Sequence, residues 1–324
     1  MEPEEPAGTA ARGGQPETTL DGTWERGGRS SGSAAIAGLL GVGILYFYGQ
    51  SFFLSFAVLL SAATRHVVAD SDALLPKMAQ MLELMKYPVR ASLILSQFLL
   101  MLLPTLWIVR RWHSSGVRAY VRFSPCSGAE IALACAAVLL FFPANAFLSQ
   151  ILVRELNIPP MLLKANETLF RADSAPELLF VIAAVALTPA ICEETLFRGY
   201  VQRTLERTIG AKSVIATGVV FGLYHLQPLG LLNLSLLGLV FGYFFFASRS
   251  LFPGMLAHFT NNLVAVLWLY AEESPQAASL TARHHLFPAL VLVATPLSAL
   301  AVYGFAMVSR RRIAGEEMSR ALTD

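Results

Sequence analysis

The sequence predicts an all-α protein, a polytopic transmembrane bundle of about eight membrane-spanning helices. The 324 residues are 55% hydrophobic, and the mean hydropathy is +0.56. Only 14% of the residues are charged, whereas soluble domains carry about 25%. These charges cluster between long apolar runs, as is typical of a membrane protein. No basic stretch is interleaved with aromatic residues, so no nucleic-acid partner is expected.

Eight apolar runs have about the length that a bilayer requires, which is ~20 residues for a helix. The fourth run continues directly into a polar segment, and the fifth is short. Each run is predicted to enter or cross the membrane as a helix. The runs cover residues 34–62, 91–109, 131–153, 178–191, 213–226, 229–248, 254–270 and 286–309.

The distribution of basic residues predicts the orientation of the chain. If both termini are cytoplasmic, sixteen of the 24 Lys and Arg residues fall in cytoplasmic segments. Because cytoplasmic connections are enriched in Lys and Arg, both termini are predicted to be cytoplasmic. The turn at residues 227–230 joins two apolar runs without a charge. We therefore expect a shallow hairpin whose tip is shielded by protein, which would place His225 at membrane depth.

Two adjacent carboxylates and an arginine follow the fourth apolar run, at Glu193, Glu194 and Arg198. Charge at membrane depth is costly and needs partners. In a continuous helix, Glu194 and Arg198 share a face, where they can form an ion pair. Glu193 is rotated from Glu194 by ~100°. One carboxylate is thus predicted to be neutralised, and its neighbour is free to act as a base.

Two histidines also lie in apolar surroundings. His225 shares a helical face with Phe221, and His258 shares another with Asn262, because the residues of each pair are four apart. These groups and Glu193 are predicted to converge on one wet pocket. There, Glu193 and His225 could deprotonate a water, while His258 and Asn262 could donate hydrogen bonds to a developing oxyanion.

The same residues leave a second chemistry open. Glu193, His225 and His258 could instead bind Zn²⁺. However, the sequence contains no HExxH motif, and asparagine is a rare zinc ligand. We therefore expect that no metal or other cofactor is required.

Taken in order, these motifs resemble those of the CAAX-protease and bacteriocin-processing (CPBP) family, which includes the Ras-converting CAAX endopeptidase. The resemblance covers residues 178–269, on the motifs Glu193-Glu194-xxx-Arg198, Phe221-xxx-His225 and His258-xxx-Asn262. The resemblance implies an intramembrane endopeptidase in which Glu193 and His225 activate water. It also implies that His258 and Asn262 bind the oxyanion and that three further residues support the site, namely Glu194, Arg198 and Phe221. Members are described both as metalloproteases and as glutamate-type proteases, and the pair of oxyanion donors favours the second.

The chain is predicted to divide into four parts. Residues 1–33 form a disordered cytoplasmic tail, because they are polar and contain little apolar surface to bury. Residues 34–175 form N-terminal transmembrane helices and their loops. Residues 176–271 form the CPBP-like catalytic core, and residues 272–324 form the last transmembrane helix and a basic cytoplasmic tail.

The expected location is the bacterial inner membrane. The expected partners are the lipid bilayer and a membrane-anchored protein or peptide substrate. Two other functions stay open. A catalytically silent scaffold, such as an immunity or secretion partner, could have the same fold. A proton or solute carrier would also bury Glu, His and Arg, although residues 178–269 show no inverted repeat of the kind that many carriers have.

Overall fold

The computed structural model describes residues 18–64, 74–158, 170–227, 230–271 and 286–322. Within these ranges the chain forms helices and connecting turns and contains no β-strand, which confirms the all-α class. In chain order we label the helices α1 (Thr23–Arg26), α2 (Ser31–Thr64), α3 (74–113), α4 (Val117–Tyr120), α5 (Gly128–Glu155), α6 (Ala175–Ile209), α7 (Lys212–Tyr224), α8 (Leu231–Ser248), α9 (Phe252–Ala271) and α10 (Leu286–Ala321).

Among the described residues, six segments are long and apolar enough to cross a membrane, in α2, α3, α5, α6, α8 and α10. The predicted count of eight is therefore not confirmed. Helix α7 has 13 residues and is ~20 Å long, too short to span a bilayer. Helix α9 has 20 residues, but polar side chains at 258 and 260–262 interrupt its apolar sequence. The short α7 agrees with the shallow hairpin predicted at 227–230, of which Pro228 and Leu229 lie outside the described residues.

Helices α7 and α8 pack against each other with close backbone contact. A Cβ atom on Gly222 would lie 2.2 Å from Oγ of Ser235 and 2.6 Å from the carbonyl oxygen of Leu231. A Cβ atom on Gly238 would lie 2.8 Å from the carbonyl oxygen of Gly218. Small residues at such positions let membrane helices approach closely. The approach fixes the last turn of α7, which leads to His225.

Ion pairs connect the helices at both ends of the bundle. One end, which we call the basic end, contains α1, the last turns of α3 and α6 and the first turn of α5. Its pairs are Glu25–Arg207 (2.8 Å), Arg122–Glu206 (2.7 Å) and Arg312–Glu130 (2.9 Å). At the opposite end, α3 is joined to the start of α6 by the pair Arg90–Glu177 (2.6 Å) and to the residues before α6 by the pair Lys86–Asp173 (2.7 Å).

Part of the tail that was predicted to be disordered, residues 18–33, is described in the structure and contains helix α1. Residues 1–17 lie outside the described part. Trp24 stacks on Trp112, with ring centroids 4.9 Å apart. Glu25 forms an ion pair with Arg207 and a hydrogen bond with Nδ1 of His113. Burial alone would raise the pKa of Glu25, but the hydrogen bonds from these two partners outweigh it and hold the pKa below its ordinary value. Composition did not predict this contact, because the partners lie 88 and 182 residues away in the sequence.

The substitution Gly222→Ala is expected to destabilise the protein, because its methyl group would overlap Ser235 and the backbone of Leu231. Overpacking of this kind costs about 1–3 kcal/mol. The unfolding midpoint in detergent measures the effect. Gly41→Ala in α2 is the matched control, since nothing lies within 4 Å of a Cβ at that position. Equal midpoints for the two variants would contradict the close packing of α7 on α8.

Candidate active site

Helix α6 carries both carboxylates and departs twice from regular α-helical geometry. π-Helical segments at Ala183–Leu187 and Thr195–Gln202 flank the α-helical segment Thr188–Glu194. Pro189 has no N–H to donate to the carbonyl of Val185 four residues earlier. Wide turns of this kind are frequent at functional sites. They leave the two glutamates at the end of a short α-helical segment in the interior of the bundle.

The ion pair between Glu194 and Arg198, expected from their spacing, is present and fully buried. Nη1 of Arg198 donates to Oε1 of Glu194 at 2.9 Å, and Nη2 donates to the carbonyl oxygen of Gly238 at 2.9 Å. The guanidinium carbon lies 4.6 Å from the ring centre of Phe221 and 5.6 Å from that of Phe241. A charge in such surroundings is stabilised by its partner, by hydrogen bonds and by aromatic faces.

Glu194 also holds His258, a contact that the sequence did not predict. Nδ1 of His258 lies 2.9 Å from the same Oε1 atom of Glu194. A carboxylate that pairs with arginine is ionised and can only accept hydrogen bonds, so Nδ1 is the donor. The imidazole also stacks on Phe241, with ring centroids 4.9 Å apart. These contacts fix the ring and direct Nε2 away from Glu194.

Glu193 is in a different environment. Its Oε1 atom accepts a hydrogen bond from Nε2 of Gln97 at 3.2 Å. Its Oε2 atom is buried, has no hydrogen-bond partner among the described residues and lies 3.9 Å from Nε2 of His225. Nδ1 of His225 lies 2.8 Å from the carbonyl oxygen of Phe221. Because a carbonyl can only accept, Nδ1 carries a proton, and Nε2 is an acceptor when the ring is neutral.

Asn262 lies one turn after His258 on α9, and its amide is held on both sides. Nδ2 donates to the carbonyl oxygen of Val185 at 2.9 Å, and Oδ1 accepts from Nδ2 of Asn261 at 3.0 Å. The Val185 carbonyl is the one to which Pro189 cannot donate, so Asn262 supplies a partner for it. Nδ2 of Asn262 carries a second hydrogen, which can donate to another acceptor.

A cavity of about 170 Å³ brings most of these groups together. Glu194 and Arg198 lie behind its wall, where they hold His258. The cavity is large enough for several waters. Five predicted site residues line the cavity: Glu193, Phe221, His225, His258 and Asn262. The remaining described lining residues are apolar, apart from Gln97.

Two polar residues of the site were missed in the sequence. Gln97 lies within the predicted span 91–109, and the signal was an amide in an otherwise apolar run that also contains hydroxyl side chains. Asn261 is adjacent to a predicted residue, but only the position of α9 shows that it supports Asn262.

The zinc alternative requires three side chains that can bind one ion together. Within the described residues, no three His, Cys, Asp or Glu side chains are placed so that they could hold a metal ion together. Glu193, His225 and His258 therefore do not form a three-ligand site in this geometry. Nδ1 of His258 is bonded to Glu194, which leaves only Nε2 for a ligand. The requirement for a metal stays a prediction to be tested.

Comparison with protein-family models gives a match over the segment that carries the three motifs. Residues 175–264 match the model described as type II CAAX prenyl endopeptidase Rce1-like. This match confirms the resemblance drawn from the motifs, and it runs from the start of α6 into α9. The comparisons with curated proteins and with solved structures find no match. The segment that carries all three motifs is thus similar to an endopeptidase family.

The substitution Arg198→Met is expected to destabilise the protein by about 3–5 kcal/mol, because it leaves the buried carboxylate of Glu194 without its charge partner. The free energy of unfolding in mixed micelles measures the loss. The double variant Glu194→Leu/Arg198→Met should recover much of the stability, since neither charge stays buried alone. Arg110→Met, at an exposed position of α3, is the control. Equal stability of Arg198→Met and Arg110→Met would contradict the role of the ion pair.

Proposed function

We propose that the protein is an intramembrane endopeptidase that hydrolyses a peptide bond of a membrane-associated protein or peptide precursor. The observation that carries this proposal is the pair of acceptors in the cavity, Oε2 of Glu193 and Nε2 of His225, 3.9 Å apart. In an apolar bundle, an unpartnered carboxylate oxygen that faces an unprotonated imidazole nitrogen is costly and suits a base that acts on water.

The proposed reaction begins with one water between these acceptors. A water can donate one hydrogen to each of two atoms at this separation, which leaves its lone pairs free to attack. The water oxygen forms a bond to the carbonyl carbon of the substrate while Glu193 accepts a proton from the water. Glu193 then passes this proton to the amide nitrogen as the C–N bond breaks. The products are a carboxylic acid and an amine, and Glu193 is returned to its ionised form.

The oxyanion that forms in this step is assigned to His258 and Asn262. Both residues line the cavity. Because Nδ1 of His258 donates to Glu194, Nε2 can donate to an oxyanion only when the ring carries both protons. The second hydrogen of Nδ2 in Asn262 supplies the other donor, and a single donor of this kind typically contributes about 10²–10³ in rate.

A water nucleophile is supported by what lines the cavity. None of its described lining residues is Ser, Thr or Cys, so a covalent intermediate has no hydroxyl or thiol nucleophile there. The match to an endopeptidase family over residues 175–264 supports peptide hydrolysis as the reaction. The two observations are independent, because one comes from geometry and the other from sequence.

The location of the cavity and the family match support a membrane-associated substrate. The cavity lies within apolar helices that include six candidate spans, so the precursor must reach it from the membrane. The family description names CAAX prenyl endopeptidases, which makes a prenylated C-terminal segment one candidate and a peptide leader or C-terminal sorting helix another. We place the protein in a bacterial inner membrane with both termini cytoplasmic, since the basic end would then face the cytoplasm.

Glu193→Gln is expected to abolish cleavage, because the amide cannot accept the proton of the water, while the fold is retained. The purified protein in liposomes is tested with a fluorogenic farnesylated peptide that ends in a CAAX sequence, and with the same peptide without the farnesyl group. In cells, a strain that lacks the gene is complemented with either form and searched by proteomics for membrane proteins that keep an extra terminal segment.

The matched control is Glu155→Gln, which changes an exposed carboxylate at the end of α5 and should leave cleavage unchanged. Full activity of Glu193→Gln would end the assignment of Glu193 as the base. If the wild-type protein cleaves neither peptide and no precursor accumulates without it, the alternative of a catalytically silent scaffold is favoured.

Chelation tests the metal question directly. We expect that 1,10-phenanthroline followed by dialysis leaves cleavage unchanged, because Glu193 and His225 can activate water without a metal. Residual zinc is measured by mass spectrometry in the same sample. Loss of cleavage that added Zn²⁺ restores would instead assign the reaction to a metalloprotease.

A further inference from the structure

Gln97 differs from the other polar side chains in the apolar part of α3. The hydroxyl groups of Ser92, Ser96 and Thr105 donate to carbonyl oxygens of the same helix, at 2.8, 3.2 and 2.7 Å. The amide of Gln97 instead reaches across to Glu193 on α6. An amide within a membrane span is costly unless it is hydrogen-bonded. Its partner here is the residue proposed as the base.

The geometry of this contact defines the orientation of both groups. Gln97 is 4% exposed and Glu193 is 8% exposed, so neither side chain is free to move into solvent. Since an ionised carboxylate can only accept, the NH₂ group of Gln97 must face Oε1 of Glu193. Oε2 is then the oxygen that faces His225.

We propose that Gln97 is a positioning residue of the active site, which holds one carboxylate oxygen of Glu193 so that the other faces the water-binding gap to His225. This inference rests on the proposed function. It concerns a residue outside the segment matched by the family model, residues 175–264. Gln97 acts through Glu193 and has no assigned contact with the reacting bond.

The structure of α3 holds Gln97 in this place. A π-helical segment begins at Gln97 and ends at Leu102, and π-helical turns of this kind are frequent at functional sites. Two turns earlier, Nη1 of Arg90 donates to Oε1 of Glu177 at 2.6 Å. Both residues are buried, and their ion pair ties α3 to the first turn of α6. The amide of Gln97 is therefore presented to Glu193 from a helix with a fixed position.

A purely structural role for Gln97 would be that of an amide that joins two membrane helices. Such a role predicts a loss of stability without a specific effect on turnover. A positioning role predicts a fall in kcat with KM unchanged, since substrate binding does not depend on the orientation of Glu193. The two roles can therefore be separated by kinetics.

The experiment uses the full-length protein with the peptide or precursor that the wild-type protein cleaves. Gln97→Leu keeps a side chain of similar size and removes the amide. Its kcat is expected to fall about 10–100-fold, as for other partners that orient a reacting group, with KM unchanged. Thr105→Val is the matched control, because it removes one buried hydrogen bond from the same helix at a position that does not line the cavity, and it should keep the wild-type kcat.

Together with Glu193→Gln, these variants distinguish failure of the inference on Gln97 from failure of the proposed function. If Glu193→Gln abolishes cleavage and Gln97→Leu matches Thr105→Val in kcat, the inference on Gln97 is overturned and the proposed function stands. A rise in KM at unchanged kcat also overturns it. If Glu193→Gln is fully active, the proposed function fails and the positioning role fails with it.

The contact itself is tested without a substrate by the unfolding midpoints of Gln97→Leu, Glu193→Leu and the double variant. A double variant that loses less than the sum of the single variants supports the contact, and an additive loss overturns it.

Discussion

The buried ion pair between Glu194 and Arg198 is the interaction on which the rest of the site depends. Glu194 reaches α9 through His258, and Arg198 reaches α8 through the carbonyl oxygen of Gly238. One pair of charges on α6 thereby joins three helices. A buried ion pair contributes little net stability, but removing one partner is strongly destabilising. The main effect of the pair is therefore to fix the relative positions of these helices. It thereby also fixes the orientation of the His258 ring.

The two adjacent glutamates have different surroundings. Glu194 is surrounded by an arginine, a histidine and aromatic rings, and its charge is compensated. Glu193 receives one neutral donor, from Gln97, and its second oxygen faces an acceptor. Helical geometry alone separates the two directions by ~100°. Two neighbouring positions on one helix can thus direct one carboxylate towards an arginine and the other towards the cavity.

Local spacing was sufficient to predict the all-α class, the pair Glu194–Arg198 and the convergence of His225 and His258 on one cavity with Glu193. These features depend on helical periodicity and on the cost of polar groups in lipid. The contact from Gln97 to Glu193 crosses 96 residues, and that from His258 to Glu194 crosses 64. Such contacts depend on which helices are neighbours and on their rotation, and a single sequence defines neither.

The described residues contain six candidate spans where eight were predicted, and the difference has a physical cause near the cavity. The two helices that do not qualify as spans are α7, which is short, and α9, which is polar. They are the helices that carry His225, His258 and Asn262. A site that holds water inside an apolar layer needs helices that end there or present polar groups, and such helices are tolerated only where protein shields them from lipid. The apolar spans of the described residues can provide this shield, so the departures from the predicted count lie at the cavity.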